Sequence, residues 1–363
     1  MMKEIISNTK INVTPVENSR IQEVDFDNLV FGRKFSDHMF EMEFQEDNWG
    51  EPFIKPYAPF EMTPATNVLH YGQAVFEGMK AYYADENTVH IFRPKAHHER
   101  FNNSCRRMCI PETDYDTFIE ALETLIKLDQ KWIPKRSGTA LYIRPFIFAS
   151  DDLLAARSSD KFTYQIITSP VGAYYEEGFN PVSLTTMDEY VRAVKGGTGE
   201  AKAAGNYAGS FLPAKKAKAE GYTQVLWLDA KEHKYVEEVG TMNIHFLIGD
   251  TLVTPALTGS ILPGVTRRSV IALAKEWGLN VEERRITIDE VFEAHDSGEL
   301  KEVFGSGTAA VVSPVGLIDH KGQRIELDRE KPGEFAQKCF DAITDIQYGR
   351  AEDKFDWVHK VSI

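Results

Sequence analysis

The chain has 363 residues, 42% of them hydrophobic and 26% charged, the balance of a soluble folded protein rather than a disordered one. Its formal net charge of −14 argues against a nucleic-acid partner, whose phosphates call for a basic surface. Three cysteines are too few for a disulfide scaffold, and no apolar run reaches the roughly 18 residues of a spanning helix. The opening MMKEIISNTKINV carries no apolar core of signal-peptide length, so a cytoplasmic protein with no membrane partner is expected.

In chain order, strand-like runs such as TVHIFRP (88–94) and TALYIRPFIFA (139–149) alternate with helical ones. HHERFNNSCRRMC (97–109) places Cys105 and Cys109 on one helical face, but the spacing fits no common zinc pattern. Small buried hydrophobes are the simpler reading, and no metal is expected. TFIEALETLIKLDQKWI (117–133) puts Phe118, Leu122, Leu125 and Ile126 at helical spacing. SPVGAYYEEGFNPVSL (169–184) gathers Gly, Pro and acidic residues and reads as a linker. Beyond it, QVLWLD (224–229) reads as a strand, and NIHFLIGDTLVTP as two strands about a Gly249–Asp250 turn. PGVTRRSVIALAKEWG opens a helix after Pro263-Gly264, with Val270, Leu273, Ala274 and Trp277 on one face. The length implies two domains, and strands mixed with helices without strict βαβ alternation imply an α+β fold.

Two glycine-rich stretches invite a nucleotide reading and fail it. GGTGEAKA (196–203) has Ala201 and Ala203 beside its lysine, where a P-loop needs glycine and a magnesium-binding hydroxyl. FGSGTAA (304–310) has dinucleotide-loop spacing, but the following VVSPVG does not open a helix. The alternative is a lysine kept for covalent chemistry. An amine that condenses with an aldehyde must spend time neutral, and small neighbours around Lys202 suit that need. Pyridoxal phosphate further demands an acid at its ring nitrogen, a donor to its ring oxygen and an anion cup. Glu237 and Glu238 in EEVGTMN, Tyr207, and the helix start in LPGVTRR supply candidates for all three.

These segments resemble the branched-chain aminotransferases, pyridoxal-phosphate enzymes of fold type IV. The resemblance runs from FGRKFSDHM (31–39) through LHYGQAVFEGMKAY (69–82), FRPKAHHERF (92–101), LYIRPF (141–146), PVGAYY (170–175) and EYVRAVKGGTGEAKAAGNY (189–207). It continues through EEVGTMN (237–243) and ILPGVTR (261–267) to GSGTAAVVSPVG (305–316). It implies a small N-terminal domain (1–174), a linker (175–181) and a large cofactor-binding domain (182–363), with the cofactor between the domains. By position it makes Lys202 the Schiff-base lysine and proton shuttle, and Glu238 the partner of the ring nitrogen, leaving Glu237 a solvated charge. Tyr207 would hold the ring oxygen. Arg100, the backbone N–H groups of Val265 and Thr266, and the Thr308 hydroxyl would hold the phosphate.

The implied substrates place two demands on one pocket. It must take leucine, isoleucine or valine in one half-reaction, and glutamate and the 2-oxo acids in the other. Apolar walls favour the first at about 0.8 kcal/mol per buried methylene, while glutamate's second carboxylate needs a cation. By resemblance Phe31, Tyr71, Phe76, Tyr142, Tyr174 and Tyr207 line the pocket, Arg144 meets the distal carboxylate, and Thr308 and Ala309 offer N–H groups to the α-carboxylate. Tyr71 would come from a second subunit, so a homodimer with a shared active site is implied. Mammalian members carry a C-x-x-C pair where this chain has Ala310 and Ser313, so thiol regulation there is not expected. A D-amino-acid aminotransferase or an aminodeoxychorismate-lyase-like enzyme is the alternative within the fold type; a nucleotide-binding module is the alternative outside it.

Overall fold

The computed structural model describes residues 2–7, 9–172 and 179–363. The chain divides into two compact units, one of residues 1–174, 201–204 and 345–363, the other of residues 175–200 and 205–344.

The first unit is built on a ten-stranded sheet, antiparallel in most of its pairings. Its central pair, Ala140–Ala149 and Phe162–Val171, runs in unbroken register from Ala140↔Val171 to Ala149↔Phe162. Alternation along a strand sends successive side chains to opposite faces. Leu141, Ile143 and Ile147 therefore join the core, where Phe101 and Cys105 of the helix Pro94–Arg107 and Phe118, Leu122, Leu125 and Ile126 of the helix Tyr115–Leu128 cover them. Tyr142 and Arg144 take the other face. The predicted helix over 117–133 ends at Leu128 and gives way to a 3-10 turn, Gln130–Trp132. Cys105 is buried as expected, but Cys109 lies past the helix end and is exposed.

The second unit has a nine-stranded mixed sheet. Val236–Val239 and Met242–Ile248 form a tight hairpin with Glu238 opposite Asn243, and Met242–Ile248 also pairs with Leu300–Gly307. Gly249 takes φ +58° in the expected turn between Met242–Ile248 and Thr251–Thr254. The helix Val265–Glu276 buries Val270, Leu273 and Ala274, as its spacing predicts.

The expected division is corrected in two places. Residues 345–363 do not belong with 182–344: Val358–Ser362 adds an antiparallel strand to Thr88–Phe92 in the first unit's sheet, with Val361 in its core. Residues 201–204 also join the first unit, through a bridge between Val75 and Ala203. The proposed linker, 175–181, falls mostly outside the described residues; Phe179 packs on Phe340 with ring centroids 4.3 Å apart.

Candidate active site

Lys202 sits in the first unit. Its backbone N–H donates to Ser104 Oγ (2.8 Å) and its carbonyl accepts from the Phe76 N–H (3.1 Å), so the main chain is pinned on both sides. Its Nζ lies 4.7 Å from the centroid of the Phe76 ring. The Arg144 guanidinium lies 4.6 Å from the same centroid and donates to the Tyr142 hydroxyl at 2.8 Å. Phe31 packs edge-on to Tyr142 at 4.8 Å. Five predicted residues, Lys202, Phe76, Arg144, Tyr142 and Phe31, thus converge on one aromatic and cationic patch. Arg144 Nε is buried with no hydrogen-bond partner among the described residues, which leaves a donor for an anion. Gly78 makes room for this arrangement, since a Cβ there would stand 2.1 Å from the Tyr142 hydroxyl.

Arg100 forms a bidentate pair with Glu77, Nε to Oε1 at 2.6 Å and Nη2 to Oε2 at 2.8 Å. His97 Nδ1 lies 2.9 Å from the same Oε2, which the Gly78 N–H also approaches at 3.0 Å. Burial pushes the Glu77 carboxyl up, but the Arg100 charge and the bonds from Arg100 and His97 outweigh it and hold it well below the carboxylate range. Burial holds His97 below the usual imidazole range.

In the second unit Tyr207 and Glu238 line one small cavity of about 20 Å³ together with Arg192, Asn206 and Thr241. Glu238 is buried on the hairpin; Asn243 Nδ2 donates to its Oε1 (3.1 Å) and to the Leu262 carbonyl (2.9 Å). Arg192 Nε forms an ion pair with Glu238 Oε2. Arg192 Nη2 in turn donates to the Gly199 carbonyl (3.0 Å) and to the Ser260 carbonyl. The glycines of GGTG therefore serve close packing: a Cβ on Gly199 would lie 2.2 Å from the Ser260 carbonyl oxygen. Val265 and Thr266 open a helix whose N-cap, Gly264, makes no side-chain cap and whose first turn holds no acid. A Cβ on Gly264 would fall 1.9 Å from Asn243 Oδ1, so the cradle admits only glycine there. Thr308 and Ala309 lie in the turn between Leu300–Gly307 and Val311–His320.

One reading is overturned. Glu237 is not a solvated charge but 7% exposed, accepting a hydrogen bond from the Ser260 hydroxyl. Tyr71 ends the short helix Val68–Tyr71 and is 45% exposed. Tyr174 lies outside the described residues. Sequence reasoning also passed over Glu77, His97, Arg192, Asn243 and Lys80. His97 and Arg100 at i, i+3 were the available signal for the first pair. Lys80 pairs with Tyr142 across two strands, and burial brings its amine down to about 8.

Residues 74–318 match the family model for amino-transferase class IV. The branched-chain-amino-acid aminotransferase 2 of Bacillus subtilis is 51% identical over 339 residues, 93% of each chain.

The chain belongs to the class IV aminotransferases, among the branched-chain enzymes.

A probable branched-chain-amino-acid aminotransferase of Streptomyces coelicolor is 44% identical over 92% of each chain. The solved branched-chain amino acid aminotransferase of Escherichia coli covers 88% of this chain and 98% of its own at 26% identity and TM-score 0.68. A further branched-chain amino acid aminotransferase, solved with pyridoxamine 5'-phosphate, covers 88% of this chain and 97% of its own at 26% identity and TM-score 0.70. The fold is thus fold type IV, and the family's cofactor is pyridoxal phosphate. Each unit holds groups of the kind that cofactor calls for: the first a lysine with its main chain pinned, the second a buried carboxylate held by an amide and a guanidinium and an uncapped helix start built around a glycine cradle. Among the described residues no helix is long and apolar enough to cross a membrane, and no cluster of metal-ligand side chains occurs.

Proposed function

We propose that this enzyme moves the amino group of L-leucine, L-isoleucine or L-valine to 2-oxoglutarate, giving the branched 2-oxo acid and L-glutamate. The carrying observation is Lys202, its main chain pinned on both sides, beside an arginine with an unpartnered buried donor. Bound pyridoxal phosphate supplies an electron-withdrawing ring that stabilises negative charge at the substrate's α-carbon. Lys202 Nζ would hold the cofactor and would move the proton at the substrate's α-carbon. Glu238, held by Arg192 and Asn243, would meet the ring nitrogen, and Tyr207 would donate to the ring oxygen. Arg100, the N–H groups of Val265 and Thr266, and Thr308 hold the phosphate.

The aromatic patch answers the double substrate. Phe31, Phe76, Tyr142 and Tyr174 give branched side chains an apolar wall, and Arg144 meets glutamate's distal carboxylate, which would otherwise be buried unpaired. Thr308 and Ala309 take the α-carboxylate. Phe60, Met62, Leu69, Tyr71 and Leu154 leave apolar side chains exposed on adjoining segments, tied by the Thr66–Asp152 bridge. A patch of this kind suits a homodimer in which Tyr71 completes the partner's pocket. The cytoplasm is the proposed compartment, where its thiols stay reduced.

The test is conversion of L-leucine and 2-oxoglutarate to L-glutamate by the purified holoenzyme, with D-alanine as the comparison. Turnover of D-alanine in preference to L-leucine would overturn the assignment. Sedimentation of a monomer at micromolar concentration would overturn the dimer.

A further inference from the structure

Glu237 and Glu238 are consecutive on the strand Val236–Val239, at the point where its pairing with Gln224–Leu228 shifts register, and they line two different cavities. Glu238 is part of the site described above. Glu237 lines a separate cavity of about 590 Å³ within the second unit. Its Oε1 accepts from the Ser260 hydroxyl, which lies 3.2 Å from the Thr258 hydroxyl. Its Oε2 is buried and has no hydrogen-bond partner among the described residues. A buried carboxylate oxygen without a donor is costly, and native proteins rarely leave one so. The neighbouring acid in the cavity, Asp229, is not comparable. It already accepts from the backbone N–H groups of Lys231, Glu232, Lys234 and Tyr235, and needs nothing further.

The walls restrict what can meet Glu237. Val236, Pro255, Ala256 and Ile261 are apolar, so a ligand must carry apolar bulk beyond its polar head. Lys195, Lys231 and Arg285 are exposed cations of its lining, and Arg285 is already taken by Glu232 (3.6 Å) and Asp229 (4.0 Å). An anionic pole at depth, apolar sides and exposed cations match a molecule with an ammonium at one end and a carboxylate at the other.

We propose that this cavity is a second, non-catalytic site that binds a free α-amino acid with an apolar side chain, its ammonium seated on Glu237, Ser260 and Thr258 and its carboxylate between Lys195 and Lys231. The ammonium supplies the donor that Glu237 Oε2 lacks, and the hydroxyls accept its remaining hydrogens. The site touches the proposed catalytic machinery through shared atoms. Ser260 donates its hydroxyl to Glu237 and accepts Arg192 at its carbonyl, and Arg192 pairs with Glu238. An amino acid seated at Glu237 therefore reaches Glu238 through two residues. This link rests on the catalytic reading given above; the binding itself does not.

The test is calorimetric titration of L-leucine into holoenzyme whose cofactor has first been fixed to the protein with borohydride, so that no turnover occurs. Wild type should bind about one leucine per chain outside the blocked site. Glu237→Gln, checked for an unchanged thermal transition, should weaken it at least tenfold. Lys195→Glu, an exposed change that leaves the fold alone, should weaken it several-fold. 4-Methyl-2-oxopentanoate, which has the same side chain and carboxylate but no ammonium, should not bind there. An isotherm unchanged in both variants, or absent from the wild type, overturns the proposal. Failure of the catalytic reading is told apart by mass: borohydride would then add nothing at Lys202.

Discussion

Each unit sets an arginine against a buried carboxylate, Arg100 against Glu77 and Arg192 against Glu238, and the two pairs are built differently. In the first, Arg100 and Glu77 share a two-pronged contact, and the carboxylate is further held by His97 and the Gly78 N–H. Glu77 is spent on holding Arg100 in place. In the second, Arg192 is anchored by the Gly199 and Ser260 carbonyls and touches Glu238 from the side, with Asn243 on the other oxygen. There the carboxylate is the group being presented. The same two residue types thus make a two-pronged pair in one unit and a one-sided pair in the other.

The largest effect should come from Lys202, the lysine proposed to carry the cofactor. Lys202→Ala should lower turnover by at least about 10³-fold while leaving the folded protein intact, as read by steady-state kinetics beside a thermal melt. The first pair should answer mainly in stability. Glu77→Gln leaves a buried guanidinium poorly paired and should cost about 3–5 kcal/mol in denaturant unfolding. Its carboxyl is depressed in the folded state, so its contribution is present above the unfolded value of 4.5 and is lost as pH falls below it. Wild type should therefore lose stability into acid more steeply than Glu77→Gln. The second pair should answer mainly in rate. Arg192→Gln removes a charged partner worth roughly 1.5–3 kcal/mol, so kcat should drop about 10–100-fold with a smaller change in melting. Equal losses of stability in the two variants would erase the distinction. The smallest effect lies outside both pairs. Only Cys109 is an exposed thiol among the described residues; burial pushes Cys339 up to about 12 and Cys105 higher still. A thiol reagent should label Cys109 alone in the native protein and leave turnover unchanged.

Much of the first pair's setting was legible because local chemistry is unusual there. Arg144 on a strand between Ile143 and Pro145 announces a buried cation, and Lys202 among small residues announces a sheltered amine. What escaped lies on contacts between distant segments. Glu77 meets Arg100 only because the end of the strand Ala74–Phe76 packs beside the helix Pro94–Arg107, two strands further along the chain, and Arg192 meets Ser260 across 68 residues. Glu237 was misread for the same reason. Alternation tells which face a strand residue takes, but not that residue 260 will cover that face. The strand Val358–Ser362 was likewise illegible, since its partner lies at Thr88–Phe92.

The chemistry proposed for this enzyme requires that one amine, Lys202 Nζ, carry the cofactor. Reduction of the purified holoenzyme with borohydride, followed by peptide mapping, probes that amine. The cofactor's mass should appear on the peptide containing Lys202 and on no other. Label on a different lysine, or none with the cofactor present, would refute it.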